Sequence, residues 1–248
     1  MNKKPLLFHI PHSSVIIPGE YKNDFITDIS DDLRHMTDWY TDELFDMDGK
    51  KVVFPISRLI CDPERFRDDK MEEMFKRGMG TCYTHGYKGN LIRSLSDERK
   101  KEILNRWYDP HHDLLKTETC EMLKKFGICF IIDCHSFPAS PLPYETNKAL
   151  NRPDFCIGID NFHTPKFITE SLANSFFRKG YSVDINAPFS GTMVPLPYYH
   201  KNASIFSIMI EINRSLYLDD FFQKTPGFNT LKRDIAEAIA GLMKQVGY

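Results

Sequence analysis

Two histidines lie directly after short apolar runs of the sequence. His12 follows the run at 6–10, and His135 follows the run at 128–133. Neutral imidazole is the commonest nitrogen ligand of zinc. Residues just beyond the carboxyl ends of parallel strands meet at one edge of a sheet, so His12 and His135 could bind one metal ion. The alternative is that each histidine hydrogen-bonds the backbone near the end of its own strand.

A carboxylate from the segment 31–46 could complete such a site. The apolar spacing predicts a helix there, with His35, Asp38 and Asp42 at i, i+3 and i+7, near one face. A hydrolytic metal site needs three protein ligands and an open position. Asp42 is interpreted as part of a solvated acidic face. For Asp38, the pattern leaves metal binding and a solvated face equally open.

Two further carboxylates are associated with predicted strands. Glu211 ends the apolar run at 205–212. A partly desolvated carboxylate there would have a raised pKa, which suits proton transfer near neutral pH; the alternative is a pair with Arg214. Asp133 precedes His135 by two residues, so it points to the same side of the strand and is predicted to orient a ligand from outside the first coordination shell.

Candidate substrate-binding residues lie close to these motifs. Arg58 and Arg214 could bind a substrate carboxylate, because the planar guanidinium pairs bidentately with a carboxylate. Each could equally be paired with nearby acidic residues of the chain. Asn186 and Thr192 belong to a polar, glycine-containing turn at 183–192, where they could contact a substrate.

The elements that must position these residues alternate along the chain. Apolar runs rich in Ile, Val and Phe predict strands buried on both faces, and helical patterns lie between them, including 97–124 (broken or kinked at Asp109-Pro110) and 165–178. This alternation predicts an α/β fold with a largely parallel sheet flanked by helices. No repeat or linker divides the chain, so residues 1–248 are expected to form one domain. The predicted strands are 6–10, 52–56, 128–133, 154–159, 181–185 and 205–212.

Composition narrows the class of protein. The formal net charge of −2 gives no global field that would attract nucleic acid or an anionic membrane. No segment reaches the roughly 18 apolar residues of a membrane span, and the N-terminus does not have the pattern of a signal peptide. Six cysteines without a CxxC pair suit a reducing, cytoplasmic setting.

Six short motifs, taken together and in this order, resemble the N-formylglutamate amidohydrolase family. That family is similar in fold to zinc-dependent exopeptidases and to N-acetylmuramoyl-alanine amidases. The resemblance implies that His12, Asp38 and His135 bind zinc and that Glu211 acts in catalysis, and it favours Asp38 over Asp42. It also implies cleavage of N-formylglutamate to formate and glutamate, a step of histidine degradation. The motifs are FHIPHSS, MTDWYTDELFD, SRLICDPERF, IIDCHSFP, VDINAPFSGT and IEINRSLYL.

The sequence therefore predicts a metal-dependent hydrolase of N-acyl amino acids, with formyl as the first acyl candidate and a small molecule as its partner. Three alternatives stay open. The first is a related deacylase for another N-acyl amino acid or peptide. The second is a metal-free serine hydrolase using Ser13 or Ser14, although the GxSxG motif is missing. The third is a non-catalytic relative that binds carboxylates.

Overall fold

The computed structural model describes residues 4–248, and its centre is one six-stranded sheet. The strand order across the sheet is β2-β1-β3-β6-β4-β5. All neighbouring pairs are parallel except β4 with β6. The predicted α/β class with a largely parallel sheet is thereby confirmed. The strands are β1 (Leu6–Ile10), β2 (Lys50–Val53), β3 (Cys129–Phe137), β4 (Phe155–Gly158), β5 (Val183–Ile185) and β6 (Ile205–Asn213).

Six α-helices flank this sheet within the described residues. A five-residue π-helical segment, Leu104–Tyr108, joins the third to the fourth, and short 3-10 segments occupy Gly19–Asp24, Asp69–Met71, Glu73–Arg77 and Arg214–Leu216. No helix between residues 4 and 248 combines the length and apolarity needed to span a bilayer. The helices are α1 (Ser30–Met36), α2 (Thr41–Leu44), α3 (Asp97–Ile103), α4 (Asp109–Phe126), α5 (Lys166–Arg178) and α6 (Gly227–Gln245).

The two faces of the sheet bury alternate residues of the same strands. On β1, Leu6 and Phe8 join the apolar cluster that also contains side chains of α5 and α6. Leu7 points the other way, into a cluster with Leu115 and Met122 of α4. This alternation follows from the two-residue period of a strand. Because both faces are covered, β1 and β3 are buried along their whole length, as their apolar runs predict.

The prediction of one helix over residues 31–46 is wrong. α1 ends at Met36, Thr37 is extended, and Tyr40 has a left-handed φ of 59° before α2 begins. The backbone N–H of Asp38 donates to the carbonyl of His12 at 3.0 Å instead of continuing the helix. His35, Asp38 and Asp42 therefore share no helix face, and Asp38 lies in the connecting loop.

Two other boundaries differ from the sequence prediction for reasons that involve proline. β2 ends at Val53, before Pro55, which has no N–H for a ladder hydrogen bond. The irregularity predicted at Asp109-Pro110, a break or a kink, takes the form of the π-helical segment Leu104–Tyr108, which directly precedes Asp109. The π-helical segment lengthens the helical turn just before the proline. α4 starts at Asp109, so Pro110 lies in its first turn, where a proline is tolerated.

One polar chain links α4 to the sheet through buried side chains. His111 of α4 lies with its Nε2 2.9 Å from Nε2 of His9 in β1, and Nδ1 of His9 lies 2.7 Å from Oδ1 of Asp133 in β3. Burial, reinforced by the neighbouring histidines, lowers the pKa of His111 to about 2. The imidazole of His111 is therefore neutral in the folded protein at all moderate pH values.

The buried His111 should lower the free energy of unfolding in mild acid. In the unfolded chain His111 regains a pKa near 6.5, so below that pH the unfolded state binds a proton that the folded state does not. Its contribution is fully present above pH 6.5 and declines by about 1.4 kcal/mol per pH unit below it. Urea unfolding between pH 7 and 4.5 should show a shallower decline for His111→Gln than for the wild type. Equal slopes would contradict the assignment.

Candidate active site

The carboxyl-terminal ends of β1, β3 and β6 bring three of the sequence-predicted residues together. His12 follows β1, while His135 and Glu211 are register partners on the neighbouring strands β3 and β6. All three side chains are buried. The segment after β2 adds Asp62, Glu64 and Arg65 at the same edge of the sheet. This is the position at which α/β folds place their ligands.

The two histidines face each other, with ring centroids 5.2 Å apart. His12 uses Nε2 for Asp62, whose Oδ1 lies 2.9 Å away. Its Nδ1 is buried and has no hydrogen-bond partner among residues 4–248. A buried ring nitrogen without a partner is costly unless something else binds it. A neutral imidazole nitrogen in this setting is well suited to bind a metal ion.

Two carboxylates approach both imidazoles. Oδ2 of Asp38 lies 3.6 Å from Nδ1 of His12 and 3.1 Å from Nδ1 of His135. Glu64 lies 3.7 Å from Nδ1 of His12 and 3.1 Å from Nε2 of His135. Ligands of one tetrahedral zinc ion, with bonds of 2.0–2.2 Å, are about 3.4 Å apart. Each carboxylate is therefore near this distance from both imidazoles, but among residues 4–248 only the set with Glu64, and not the set with Asp38, has all three ligand atoms within 4.8 Å of one another.

The two carboxylates face opposite ring nitrogens of His135, so they define two alternative ligand sets. If Nδ1 of His135 binds the ion, Asp38 is the third ligand, and Nε2–H faces Glu64 and Asp133, whose Oδ1 is 3.3 Å away. If Nε2 binds, Glu64 is the third ligand, and ligand atoms of His12, Glu64 and His135 do lie within 4.8 Å of one another. In both sets, the ring nitrogen of each histidine that does not bind the ion faces a carboxylate, as is usual for metal-binding histidines.

Arg214 is committed to Asp38. Its guanidinium donates to Oδ1 of Asp38 at 2.8 Å, to the hydroxyl of Ser136 at 3.0 Å and to the carbonyl of His35 at 2.7 Å. Burial raises the pKa of Asp38, but hydrogen bonds with His12 and His135 and the charge of Arg214 outweigh it and lower that pKa below its usual range. Asp38 is thus a fixed, ionised carboxylate.

Glu211 is the least compensated acidic group of this edge. Its Oε2 is buried and has no hydrogen-bond partner among the described residues. Burial, together with the negative charges of Asp38 and Glu64, raises the pKa of Glu211 to about 8, against the opposing influence of His135 and Arg214. Arg214 bonds Asp38 instead of Glu211, so the alternative role of Glu211 as its ion-pair partner is not what the contacts show.

A cavity of about 230 Å³, the catalytic cavity below, opens onto these groups. Arg58, Arg65 and Arg214 all line it. Arg58 donates through Nε and Nη2 to Asp62, whereas Nε of Arg65 is buried without a hydrogen-bond partner among residues 4–248. Nε of Arg65 lies 3.7 Å from Oδ2 of Asp62, beyond hydrogen-bond distance, so Arg65 has more donor capacity left than Arg214.

Comparison with known proteins adds an independent observation. The family model for N-formylglutamate amidohydrolase matches residues 4–218. The chain belongs to this family. Among solved structures, the fold is similar to an N-formylglutamate amidohydrolase from Ralstonia eutropha JMP134, with a TM-score of 0.83 and 22% identity over 99% of this chain and 96% of that one.

A second solved structure, a gene product of Agrobacterium tumefaciens, is similar with a TM-score of 0.72 and 15% identity over 100% of this chain and 93% of that one. No curated protein matches the chain. At identities of 22% and 15%, the two solved structures support the fold alone. Membership of the family rests on the family model.

The sequence also suggested Asn186 and Thr192 as substrate contacts and Ser14 as an alternative nucleophile, and each of these side chains makes other contacts in the structure. Asn186 has a left-handed φ of 54°, and its side chain accepts a hydrogen bond from the N–H of Ile159, so it shapes a turn. It lines neither the catalytic cavity nor the neighbouring one. Thr192 lines a second, neighbouring cavity of about 350 Å³. Ser14 donates to the carbonyl of Pro55, the role of a turn residue.

Sequence reasoning missed Glu64 as a metal-ligand candidate, and among the arginines close to the motifs it preferred Arg58 and Arg214 to Arg65. Glu64 and Arg65 both belong to the CDPER stretch, in which the acidic residues were interpreted as ion-pair partners of arginines. The available signal was weak, since this stretch begins eight residues after the end of β2, whereas His12 follows β1 by two residues. His9 was also missed, because a histidine inside an apolar run gives no sign of its buried contacts with Asp133 and His111.

Substitution of His12 tests whether this edge of the sheet binds a metal ion. In His12→Ala, Asp62 keeps its pair with Arg58, so the fold should survive while bound zinc falls from about one equivalent to below a tenth. Elemental analysis of purified protein, with circular dichroism to verify folding, measures this. The exposed histidine variant His200→Ala is the matched control and should retain the metal. Full metal content in folded His12→Ala would rule out this centre.

The two ligand sets make opposite predictions for Asp38 and Glu64. With Asp38 as ligand, Glu64→Gln keeps zinc within about threefold of wild-type affinity, whereas Asp38→Asn loses it and also destabilises the fold by about 3–5 kcal/mol, because Arg214 is left buried without its partner. Zinc titration and urea unfolding measure the two effects.

A double variant separates ligand loss from unfolding. Asp38→Asn combined with Arg214→Met removes both charges and should recover much of the stability without recovering zinc affinity. Normal zinc binding by that double variant, with loss of zinc in Glu64→Gln, would instead identify Glu64 as the third ligand.

Proposed function

We propose that this chain is a metal-dependent hydrolase of N-acyl amides of acidic amino acids. N-formylglutamate is the first substrate candidate, with formate and glutamate as products. The observation that carries the proposal is the unpartnered Nδ1 of His12, buried within 3.7 Å of two carboxylates and facing His135. Family membership supports amide hydrolysis as the reaction.

His12, Asp38 and His135 are the proposed ligands, and zinc is the proposed ion. Asp38 is preferred to Glu64 because its position is fixed by Arg214 and by the backbone N–H of Ser136, whereas the Glu64 side chain is 20% exposed. A set of two imidazoles and one carboxylate is a common donor set of hydrolytic zinc. When bound there, a divalent ion would polarise the amide carbonyl, acidify a neighbouring water and lower the pKa of Glu211 towards neutrality.

Glu211 is proposed to transfer the proton. Its buried Oε2 has no protein partner to satisfy and is therefore available to a water molecule or to the substrate. As a carboxylate it accepts a proton from the attacking water; as a carboxylic acid it returns that proton to the leaving amide nitrogen. The position of Glu211 opposite His135 in the sheet register keeps it beside the reacting groups.

Arg58 and Arg65 are proposed to bind the carboxylates of the amino-acid part. Both guanidiniums line the catalytic cavity, and Nε of Arg65 still needs an acceptor. Arg214, the other arginine suggested by the sequence, is proposed instead to position Asp38, because its contacts with Asp38, Ser136 and His35 occupy all three guanidinium nitrogens.

The wider assignment follows from the same proposal. We take residues 1–248 as one catalytic domain, because α6, beyond the matched residues 4–218, packs in the same core cluster as β1 and β3. Hydrolysis of N-formylglutamate would make histidine degradation its pathway. Six free thiols, five of them buried, suit the reducing cytoplasm expected from the sequence.

The acid/base role of Glu211 has a direct test. Glu211→Gln preserves the shape of the side chain, so the protein should keep its zinc while kcat for N-formylglutamate falls by about 10³-fold or more. Formate release and metal content are measured on the same sample, with the exposed Glu237→Gln as the control. Near-normal turnover by Glu211→Gln would exclude this role, and wild-type turnover that survives complete chelation would exclude the metal.

A further inference from the structure

Two of the free cysteines lie beside each other and line neither the catalytic cavity nor its neighbour. Cys61 and Cys82 belong to one buried cluster, and the thiol of Cys61 donates a hydrogen bond to the sulfur of Cys82. The backbone explains this contact, because the N–H of Asp62 donates to the carbonyl of Thr81 at 2.7 Å. That hydrogen bond holds the two adjacent cysteines, called the thiol pair below, side by side.

A buried guanidinium bridges the two segments that carry the thiol pair. Arg93 is 0% exposed, and its Nη2 donates to the carbonyl of Ile60 at 2.7 Å. Its Nε donates to the carbonyl of Tyr83. Since Ile60 precedes Cys61 and Tyr83 follows Cys82, the positive charge of Arg93 lies against the thiol pair.

The charge of Arg93 forms no salt bridge with a carboxylate among residues 4–248. Asp24 contributes a favourable charge, but its Oδ2 is paired with Nε of Arg99 at 2.9 Å. Nη1 of Arg93 is buried and makes no hydrogen bond within the described part of the chain. Burial lowers the pKa of Arg93, yet a guanidinium stays protonated in proteins. A desolvated cation of this kind is unfavourable unless an anion lies beside it.

The thiolate of Cys82 is the anion that this arrangement favours. The hydrogen bond from Cys61 lowers the pKa of Cys82, and the charge of Arg93 adds to this effect against the opposing effect of burial. Burial and the same hydrogen bond raise the pKa of Cys61, so Cys61 stays the protonated donor. Lys100 and Asp69 act on Cys82 in opposite directions and are paired with each other. Arg93 is therefore the cation left for Cys82.

We propose that Cys82 is a reactive thiolate paired with Arg93, and that hydrogen peroxide converts it into a disulfide with Cys61. The thiolate sulfur attacks one peroxide oxygen, which gives a sulfenic acid and a hydroxide ion that takes up a proton. The thiol of Cys61 then loses its proton and attacks the sulfenic sulfur, whose hydroxyl group leaves as water. The two cysteines lose two electrons, and the peroxide is reduced to two molecules of water.

Access favours Cys82 as the first residue to react and a small molecule as the oxidant. Cys82 is 7% exposed, whereas Cys61 is 0% exposed. Hydrogen peroxide is close to water in size, so it can reach a sulfur that bulky reagents reach poorly. Thiolates stabilised by a neighbouring cation are the cysteines that oxidants modify first. The disulfide would close the segment 62–81, which carries Glu64 and Arg65 of the catalytic cavity.

The test treats the reduced, folded wild-type protein with hydrogen peroxide at pH 7. The remaining thiols are then blocked with N-ethylmaleimide in denaturant, and the peptides are analysed by non-reducing mass spectrometry. We expect the cross-link between Cys61 and Cys82 to form at least ten times faster than Cys120, the cysteine outside the buried class, is oxidised. Oxidation of Cys120 before any cross-link forms would overturn the proposal.

Substitutions separate a thiolate paired with a cation from two thiols that merely lie close together. Arg93→Met removes the charge at a similar side-chain length and should slow the modification of Cys82 at least tenfold. The matched control is Arg106→Met, at an arginine whose side chain is 52% exposed, and it should keep the wild-type rate. Circular dichroism verifies folding. An unchanged rate in folded Arg93→Met would exclude the pair of thiolate and guanidinium.

The cysteine variants decide the matter even if Arg93→Met does not fold. Cys61→Ser keeps a hydroxyl donor and Arg93, so Cys82 should react at about the wild-type rate and stop at sulfenic and sulfinic acid. Equal oxidation of Cys82 and Cys120 in that variant would overturn the proposal. Modification of Cys61 at the wild-type rate in Cys82→Ser would also overturn it, because Cys61 would then be the reactive thiol.

Discussion

The structure depends on burying several carboxylates beside two imidazoles. Asp38 and Asp62 are both buried, and each is compensated by its own arginine, Arg214 and Arg58 respectively. An isolated charge in such a place would cost several kcal/mol. The arginines therefore fix both the charge state and the position of these carboxylates, and the positions of the histidine rings follow from them.

This constraint also explains local departures from regular structure. Asp38 can meet Arg214 and His135 only because the chain leaves helical geometry between Met36 and Thr41. Its backbone N–H is satisfied by the carbonyl of His12, so the break adds a connection between the loop and the end of β1. The local preference for a helix is overruled by contacts with distant parts of the chain.

Much of this arrangement could be predicted from the sequence, but the break in the helix at Asp38 and the pairing of the arginines could not. The apolar runs predicted the strands, and strand-end placement brought His12, His135 and Glu211 to one edge, where the register now pairs His135 with Glu211. Periodicity could not predict the break at Asp38, because that break depends on Arg214, 176 residues away. It also could not tell which arginines would be occupied by acidic neighbours.

A similar limit applies to the residues around the second cavity. Ser190, Thr192 and Leu196 belong to an irregular segment, and irregular segments carry no periodic signal. Their relation to Glu64 and Arg65 is visible only once β2 and the 190–196 segment have been brought to the same edge. The size of this second cavity is thus a property of the folded chain that no single motif encodes.

The close contact between Gly158 and Gly191 has a consequence for how such an enzyme can diversify. Any side chain at position 158 would force the turn at 190–192 away from β4. That turn lines the second cavity and contributes no proposed metal ligand. The cavity can therefore be reshaped by one change at the antiparallel strand of the sheet, leaving the chemistry in place while the set of accepted molecules changes.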